Sequence, residues 1–316
     1  MKEGKIGVIL LSMGGPDSLF AIQPFLYNLF SDPDIFRLPF QKLMAWVISR
    51  VREKKVRGYY EMIGGKSPQR EQTEKQAKAL SELLGSEYRV IVAMRYWHPL
   101  TEEALKELFK EKIKEIILLP MYPQFSKTTT GSSLREFFRV YRKSNFPKVP
   151  VRKIESYHNF LLYIKAMVEN IKENLSNWED YYFLFSAHSL PMYVIKEGDP
   201  YQIQTEETVK LIMKHFPKVP YSLGYQSKLG PVKWLQPTTE DLIRSLAHRR
   251  VRKLAVIPVS FVCEHLETLY ELDVQYRKLA KELSVEDYVR IPTLRTHPTF
   301  IKALAELVRN SAKNPS

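Results

Sequence analysis

Tyr181-Tyr182-Phe183-Leu184-Phe185-Ser186-Ala187-His188 is an almost unbroken apolar run that closes on a histidine. A strand with one wet face alternates apolar and polar residues. A run that is apolar at nearly every position suits a strand covered on both faces, the usual state in a parallel sheet. The run predicts a strand over Tyr181–Ser186. Seven other segments share its character: Lys5–Ser12, Tyr88–Ala93, Glu115–Met121, Pro150–Ile154, Pro220–Gly224, Lys253–Val259 and Val289–Pro292. Between them, helical spacing marks Glu71–Leu84, Thr101–Lys112, Phe160–Leu175, Ile203–Phe216, Thr238–Arg249 and Glu264–Leu283. Strand and helix in alternation argue for βαβ units.

The strands fall into two groups of four, separated by the helix Phe160–Leu175. The expected fold is α/β: two doubly wound, Rossmann-like domains, each a four-stranded parallel sheet with helices on both faces. The first domain spans 1–160, the second 161–298. The last helix, Thr299–Asn310, is expected to bring 299–316 back onto the first domain. Disorder is expected only over Ala312–Ser316.

In open α/β sheets, ligands bind beyond the carboxyl ends of the strands. Those ends carry Met13-Gly14-Gly15, Arg95-Tyr96, Tyr122-Pro123-Gln124, His188-Ser189, Tyr225-Gln226 and Ser260-Phe261. Should the two halves face each other, these groups would line one cleft. His188 at a strand end is a base near neutrality or a neutral metal ligand; a core histidine is the alternative. Glu264, Glu267 and Glu271 are spaced by three and four, so a helix sets them on one face, with Gln275 a turn further on. An imidazole with oxygen ligands suits Fe²⁺; a solvated acidic face is the alternative. Leu266, Leu269, Tyr270, Leu279 and Leu283 form the expected core face of that helix.

Other features exclude more than they assign. Gly65-Lys66-Ser67 resembles the tail of a phosphate-binding loop, but position 60 is Tyr60 and the upstream Val51–Met62 reads as helix. The 316 residues carry a net charge of +13, which favours anionic partners. No zinc-finger or RNA-binding signature accompanies the charge, so nucleic acid is not expected. The lone Cys263 forms no internal disulfide and suits a reducing compartment. It is expected to be a small buried residue. Ile6–Ser12 runs into a Gly-Gly-Pro turn and reads as strand, not as a signal peptide. In Phe25–Arg57, apolar stretches lead into the basic RVREKKVR, a pattern that suits interfacial membrane contact or an ordinary helical hairpin.

Seven collinear stretches resemble the ferrochelatases: LLSMGGPD (Leu10–Asp17), IGGKSP (Ile63–Pro68), MRYWHPLTEEAL (Met94–Leu105), YPQFSKTTTGSSL (Tyr122–Leu134), FSAHSLP (Phe185–Pro191), GYQSKLGPVKWLQP (Gly224–Pro237) and FVCEHLETLYELD (Phe261–Asp273). The resemblance covers nearly the whole chain. It implies a two-domain chelatase fold that takes porphyrin and Fe²⁺ as substrates. It implies His188 as the essential histidine and Glu267 as the essential acid, with Glu264 and Glu271 beside it at the metal. It implies porphyrin contacts by Met13, Arg52, Tyr60, Ser67, Arg95, Tyr96, Tyr122, Ser186 and Phe261. Family helices in this region often contain a π-bulge, which would bring Glu267, Glu271 and Gln275 into one ladder. Some members hold a [2Fe–2S] cluster through cysteines, one of them in the segment reading SKTTTGSS here. Lys127 stands at that position and the tail has no Cys, so no cluster and no permanently bound cofactor are expected. Glu264 stands where the family commonly has Asp. Met13-Gly14-Gly15-Pro16 looks more like the protoporphyrin-using branch than the coproporphyrin-using one. The implied activity is insertion of Fe²⁺ into protoporphyrin IX to give protoheme, a lyase reaction ending heme biosynthesis. Coproporphyrin III, or a related cobalt or nickel chelation, is the alternative. A cytoplasmic location is expected, with peripheral contact to the inner face of the cell membrane through Phe25–Arg57.

Overall fold

A computed structural model of the chain describes residues 4–313. All eight expected strands form: β1 (Lys5–Ser12), β2 (Tyr88–Met94), β3 (Ile113–Pro120), β4 (Val151–Lys153), β5 (Tyr182–His188), β6 (Tyr221–Gln226), β7 (Lys253–Pro258) and β8 (Asp287–Arg290). They make two four-stranded sheets, ordered β2-β1-β3-β4 and β6-β5-β7-β8. Every strand pair in both is parallel. The chain divides into two compact units. The first runs to Tyr122, resumes over Ser126–Ser156 and takes up the chain again from Ile301; the second comprises Pro123–Phe125 and Tyr157–Phe300.

The apolar runs are buried on both sides, as their composition demands. In β1, Val8, Ile9, Leu10 and Leu11 are all buried although they alternate in direction. Ile9 and Leu11 join Leu105, Leu118 and Phe137 in one core layer. In the second unit, Leu184, Leu254 and Val256 pack with Ile243, Leu272, Tyr276 and Tyr288. Most helices form near their expected bounds: Gln69–Leu84, Thr101–Leu108, Leu161–Asn174, Tyr201–Met213 and Thr239–His248. Three longer ones had not been delimited from the spacing: Ile22–Phe30, Gln41–Glu61 and Ser132–Lys143. The second of these confirms that Gly65-Lys66-Ser67 follows a helix, so it is no phosphate loop. The last helix is longer than expected, Pro298–Lys313, and Arg309 Nη2 donates to the Leu83 carbonyl at 2.8 Å. Ala312 and Lys313 are therefore helical, not disordered; residues 314–316 lie outside the described residues. Cys263 is buried. Among the described residues, no helix is long and apolar enough to cross a membrane.

One helix departs from its expected form. Helical spacing begins it at Glu264, but Glu264 precedes the helix, and Glu267–Tyr276 is π-helical before it tightens to α over Arg277–Glu282. The wider π turn, bonded i to i+5, changes which side chains share a face. The buried line is Thr268, Leu272, Tyr276 and Ala280. Leu266, Leu269 and Tyr270, expected in the core, are only partly buried. A shorter π turn, Lys127–Gly131, stands in the equivalent place after β3.

Candidate active site

The second unit collects ionisable groups at the carboxyl ends of β5, β6 and β7. β5 ends on His188, whose Nδ1 lies 2.7 Å from the Ser189 carbonyl. A carbonyl only accepts, so Nδ1 carries a proton, and in the neutral form of the ring Nε2 keeps the lone pair. Ser186, two residues earlier, is fully buried; its Oγ donates to Gln226 Oε1 at 2.6 Å and lies 2.8 Å from Thr239 Oγ1. Just past β7, Phe261 packs edge-on against His188 and, at 4.4 Å between centroids, against His265.

The three glutamates meet three different environments. Glu264 is 1% exposed, and its Oε1 accepts from Arg290 Nη1 at 2.8 Å, Arg295 Nη2 at 2.9 Å and the Thr293 amide at 3.0 Å. Burial pushes its carboxyl up, but Arg290, the Thr268 side chain and the Thr293 amide hold it at about 2. Arg290, from β8, also grips Asp273 Oδ2 through Nε at 3.0 Å and Nη2 at 2.6 Å. It therefore ties the residue before His265 to the middle of the π helix. Glu271 accepts from the Ser227 amide and the Tyr276 hydroxyl, each at 2.9 Å, from Gln226 Nε2 at 3.1 Å, and from Ser227 Oγ. Ser227 is held at φ +68°, a left-handed conformation uncommon for serine. Gln226 Nε2 also donates to the Glu267 carbonyl at 2.9 Å.

Glu267 differs from both. Its Oε2 lies 2.6 Å from His265 Nδ1, and a third of its side chain is exposed. Burial pushes its carboxyl up; the imidazole of His265, and then that of His188, hold it down at about 2. His265 had not been singled out as a site residue, although its place two residues before the acid was a usable signal. Thr268 fixes it: the hydroxyl accepts from the His265 amide and donates to the His265 carbonyl, both at 3.1 Å. The helix face thus does not hold Glu264, Glu267 and Glu271 as one set, and Gln275 is exposed. Among the described residues, no three His, Cys, Asp or Glu side chains converge as a resident metal centre.

The first unit gathers residues of another kind. The Tyr96 amide donates to the Met13 carbonyl at 2.9 Å and the Arg95 amide to the Ser12 carbonyl at 2.8 Å. Gly15 lets Ser67 approach: a Cβ there would stand 2.5 Å from Ser67 Oγ. Buried Asp32 accepts from Arg95 Nη2 at 2.8 Å, the Tyr96 hydroxyl at 2.7 Å and Ser132 Oγ at 2.5 Å. Burial raises its carboxyl, and Ser132, Arg95 and Tyr96 together bring it below the ordinary range. Met13, Ser67, Arg95 and Tyr96 are thus linked. Arg52 and Tyr60 share the helix Gln41–Glu61; burial pushes the Arg52 guanidinium down. Tyr60 is buried, while Tyr122 is half-buried with its hydroxyl 3.4 Å from Ser133 Oγ.

Comparison with known proteins agrees with this architecture. The ferrochelatase family model matches residues 5–312. A ferrochelatase of Aquifex aeolicus is 61% identical over 306 residues, 97% of this chain and 99% of that protein. One from Sulfurihydrogenibium is 60% identical over 98% of this chain and 99% of its own length, and one from Picosynechococcus 46% identical over 98% and 83%. Among solved structures, SirB from Bacillus subtilis with Fe3+ shares the fold with a TM-score of 0.61 at 12% identity, covering 98% of this chain and 96% of that one. CbiX, the terminal enzyme of siroheme biosynthesis in denitrifying bacteria, does so with a TM-score of 0.51 at 13% identity over 97% and 99%. Over nearly its whole length, this chain belongs to the ferrochelatase family.

Proposed function

We propose that the chain inserts Fe²⁺ into protoporphyrin IX to form protoheme, a lyase reaction and the last step of heme biosynthesis. The supporting observation is the pairing of unlike groups in the second unit. In its neutral form His188 offers the Nε2 lone pair, and Glu267 is a carboxylate held ionised chiefly by His265.

Metalation exchanges two pyrrole N–H protons for one Fe²⁺. A base works best when its pKa lies near the working pH. A carboxyl held at about 2 is too weak a base for that task at neutral pH, but it remains a full negative charge. The division of labour follows: His188 Nε2 takes the pyrrole protons, and Glu267, with His265, attracts and guides the cation. Glu264 and Glu271, already engaged by arginines and by Ser227, Gln226 and Tyr276, support the π helix that carries Glu267. Bending the macrocycle exposes its nitrogen lone pairs, and strain of about 1–5 kcal/mol can be drawn from binding its periphery.

Met13, Arg52, Arg95, Tyr122 and Phe261 are only partly buried and supply the direct porphyrin contacts, with Arg52 and Arg95 suited to propionates. Tyr60, Ser67, Tyr96 and Ser186 are buried and act from behind the residues that touch the macrocycle. No cofactor is needed. The resemblance of Met13-Gly14-Gly15-Pro16 to the protoporphyrin-using branch favours protoporphyrin. The exposed Phe40, Leu43, Trp46, Val47 and Val51, with Arg50 over the Trp46 ring at 4.6 Å, suit peripheral contact with the inner face of the cell membrane and a cytoplasmic location.

An anaerobic absorbance assay offering Fe²⁺, Co²⁺ or Ni²⁺ with protoporphyrin IX or coproporphyrin III tests substrate and metal together. Faster turnover of Fe²⁺ with protoporphyrin is the expected result. A preference for coproporphyrin, or for cobalt or nickel, overturns the substrate or metal assignment.

A further inference from the structure

We propose that Tyr201 and Ser260 are positioning residues for His188, bonding the carbonyl and the amide of its backbone; this rests on the assignment of His188 as the proton acceptor.

The geometry begins where the sheet runs out. Ser186 is the last residue of β5 that pairs with β7, opposite Pro258. One further rung forms, from the Val259 amide to the Ser186 carbonyl at 3.0 Å. In a parallel ladder, residues two apart face the same neighbour. The N–H and C=O of His188 therefore face the side where β7 no longer supplies backbone. Two side chains replace it. The His188 amide donates to Ser260 Oγ at 3.0 Å, and the Tyr201 hydroxyl donates to the His188 carbonyl at 2.9 Å.

Tyr201 has a single hydroxyl hydrogen, which the His188 carbonyl takes, and Ser260 presents an oxygen lone pair to the His188 amide.

Tyr201 can act as a fixed point. It is buried, its amide donates to Asp199 Oδ1 at 3.0 Å, and its carbonyl accepts from Thr205 Oγ1 at 2.7 Å. On the other flank, the Ser189 amide donates to the Gln226 carbonyl at 2.8 Å. The acceptor for His188 Nδ1 is the Ser189 carbonyl. Fixing the backbone of His188 and Ser189 therefore fixes the ring, its tautomer and the direction of Nε2. A residue beyond the last ladder rung gains a rigidity that the sheet itself cannot give.

The test uses the whole chain and four variants, Tyr201→Phe, Ser260→Ala, Ser260→Thr and His188→Ala, assayed anaerobically with Fe²⁺ and protoporphyrin IX. Removing a group that orients a reacting imidazole costs about ten- to hundredfold in kcat while leaving KM for both substrates nearly unchanged. That split is expected for Tyr201→Phe and, more weakly, for Ser260→Ala, where water can replace the hydroxyl. Ser260→Thr should restore kcat. Nitrogen-15 NMR of the neutral histidine rings, with His188 identified by its loss in His188→Ala, should show a protonated Nδ1 in the parent and mixed tautomers in Tyr201→Phe. If His188→Ala is inactive but Tyr201→Phe and Ser260→Ala keep parental kcat, the positioning role is wrong and that of His188 stands. If His188→Ala still turns over, the role of His188 itself fails. Should Tyr201→Phe not fold, the Ser260→Ala and Ser260→Thr pair decides by the same split.

Discussion

The two units share a plan and differ in chemistry. Each has four parallel strands in the same order, and each follows its third strand with a π-helical stretch, an α-helix and the fourth strand. In the first unit the central strand ends on buried Ser12, and the π turn Lys127–Gly131 is rich in threonine. In the second the central strand ends on His188, and the π stretch is ten residues long and carries Glu267 and Glu271. Each unit also buries one carboxylate against arginine. Asp32 shares its arginine with neutral hydroxyls, whereas Glu264 faces two guanidinium groups. One scaffold thus carries two different groupings: Arg95, Tyr96 and Ser132 about Asp32 in the first unit, and His188, His265 and Glu267 in the second.

The sharpest way to break this contrast is to remove the unlike groups. His188→Ala and Glu267→Ala should each lower metalation by at least about a hundredfold. Ser12→Ala, at the matching end of β1, should leave kcat unchanged. Anaerobic absorbance kinetics read all three, and equal losses would erase the distinction. Next come the arginines. Arg290→Met leaves Glu264 and Asp273 short of a cation and should cost about 3–5 kcal/mol in urea unfolding. Arg95→Met should cost less, because Asp32 keeps Tyr96, Ser132 and the Asp34 amide. A third comparison is acid stability. A carboxyl depressed by folding stabilises the native state above its unfolded pKa and loses that contribution as pH falls through the folded one. For Glu264, held at about 2, about 3 kcal/mol should disappear between about pH 4 and pH 2. Glu264→Gln should lack that step in unfolding measured against pH, and Asp32, lowered in the same direction, contributes with the same sign. The smallest effect concerns the surface of the first unit. Arg50→Ala should weaken binding to anionic vesicles by about 1 kcal/mol and leave neutral vesicles unaffected, as sedimentation would show.

Much of the fold is legible in the sequence alone. The apolar runs gave all eight strands because burial on both faces leaves a pattern that needs no partner to be seen. The places of His188 and Glu267 in the fold were legible for a related reason: a strand end and the helix that follows it lie at a known edge of a parallel sheet. Helix phase was not. The α periodicity put Glu264 in a first turn and Leu266, Leu269 and Tyr270 in the core, because a π turn leaves no signature in spacing alone. The environments of Glu264 and Glu271 were hidden too. Arg290, Arg295, Gln226 and Ser227 come from other strands and loops, so no local pattern announces them. Tyr201 was not legible, and Ser260 was so only as part of a strand end, because what they bond is another residue's backbone.

The π stretch also constrains how this chain can change in length. An α-helix of the same span would need fewer residues, so the wide turns hold surplus chain in place. Deleting one residue, Tyr270 for instance, would close one wide turn toward α geometry, and the residues beyond it, Tyr276 and Ala280 among them, would keep their phase with the core. The cost would fall on the relation between Glu267 and Glu271, which the wide turns set. Glu267–Tyr276 is thus the stretch of the second unit that could lose a residue with least damage to the fold and most to the placement of its two carboxylates.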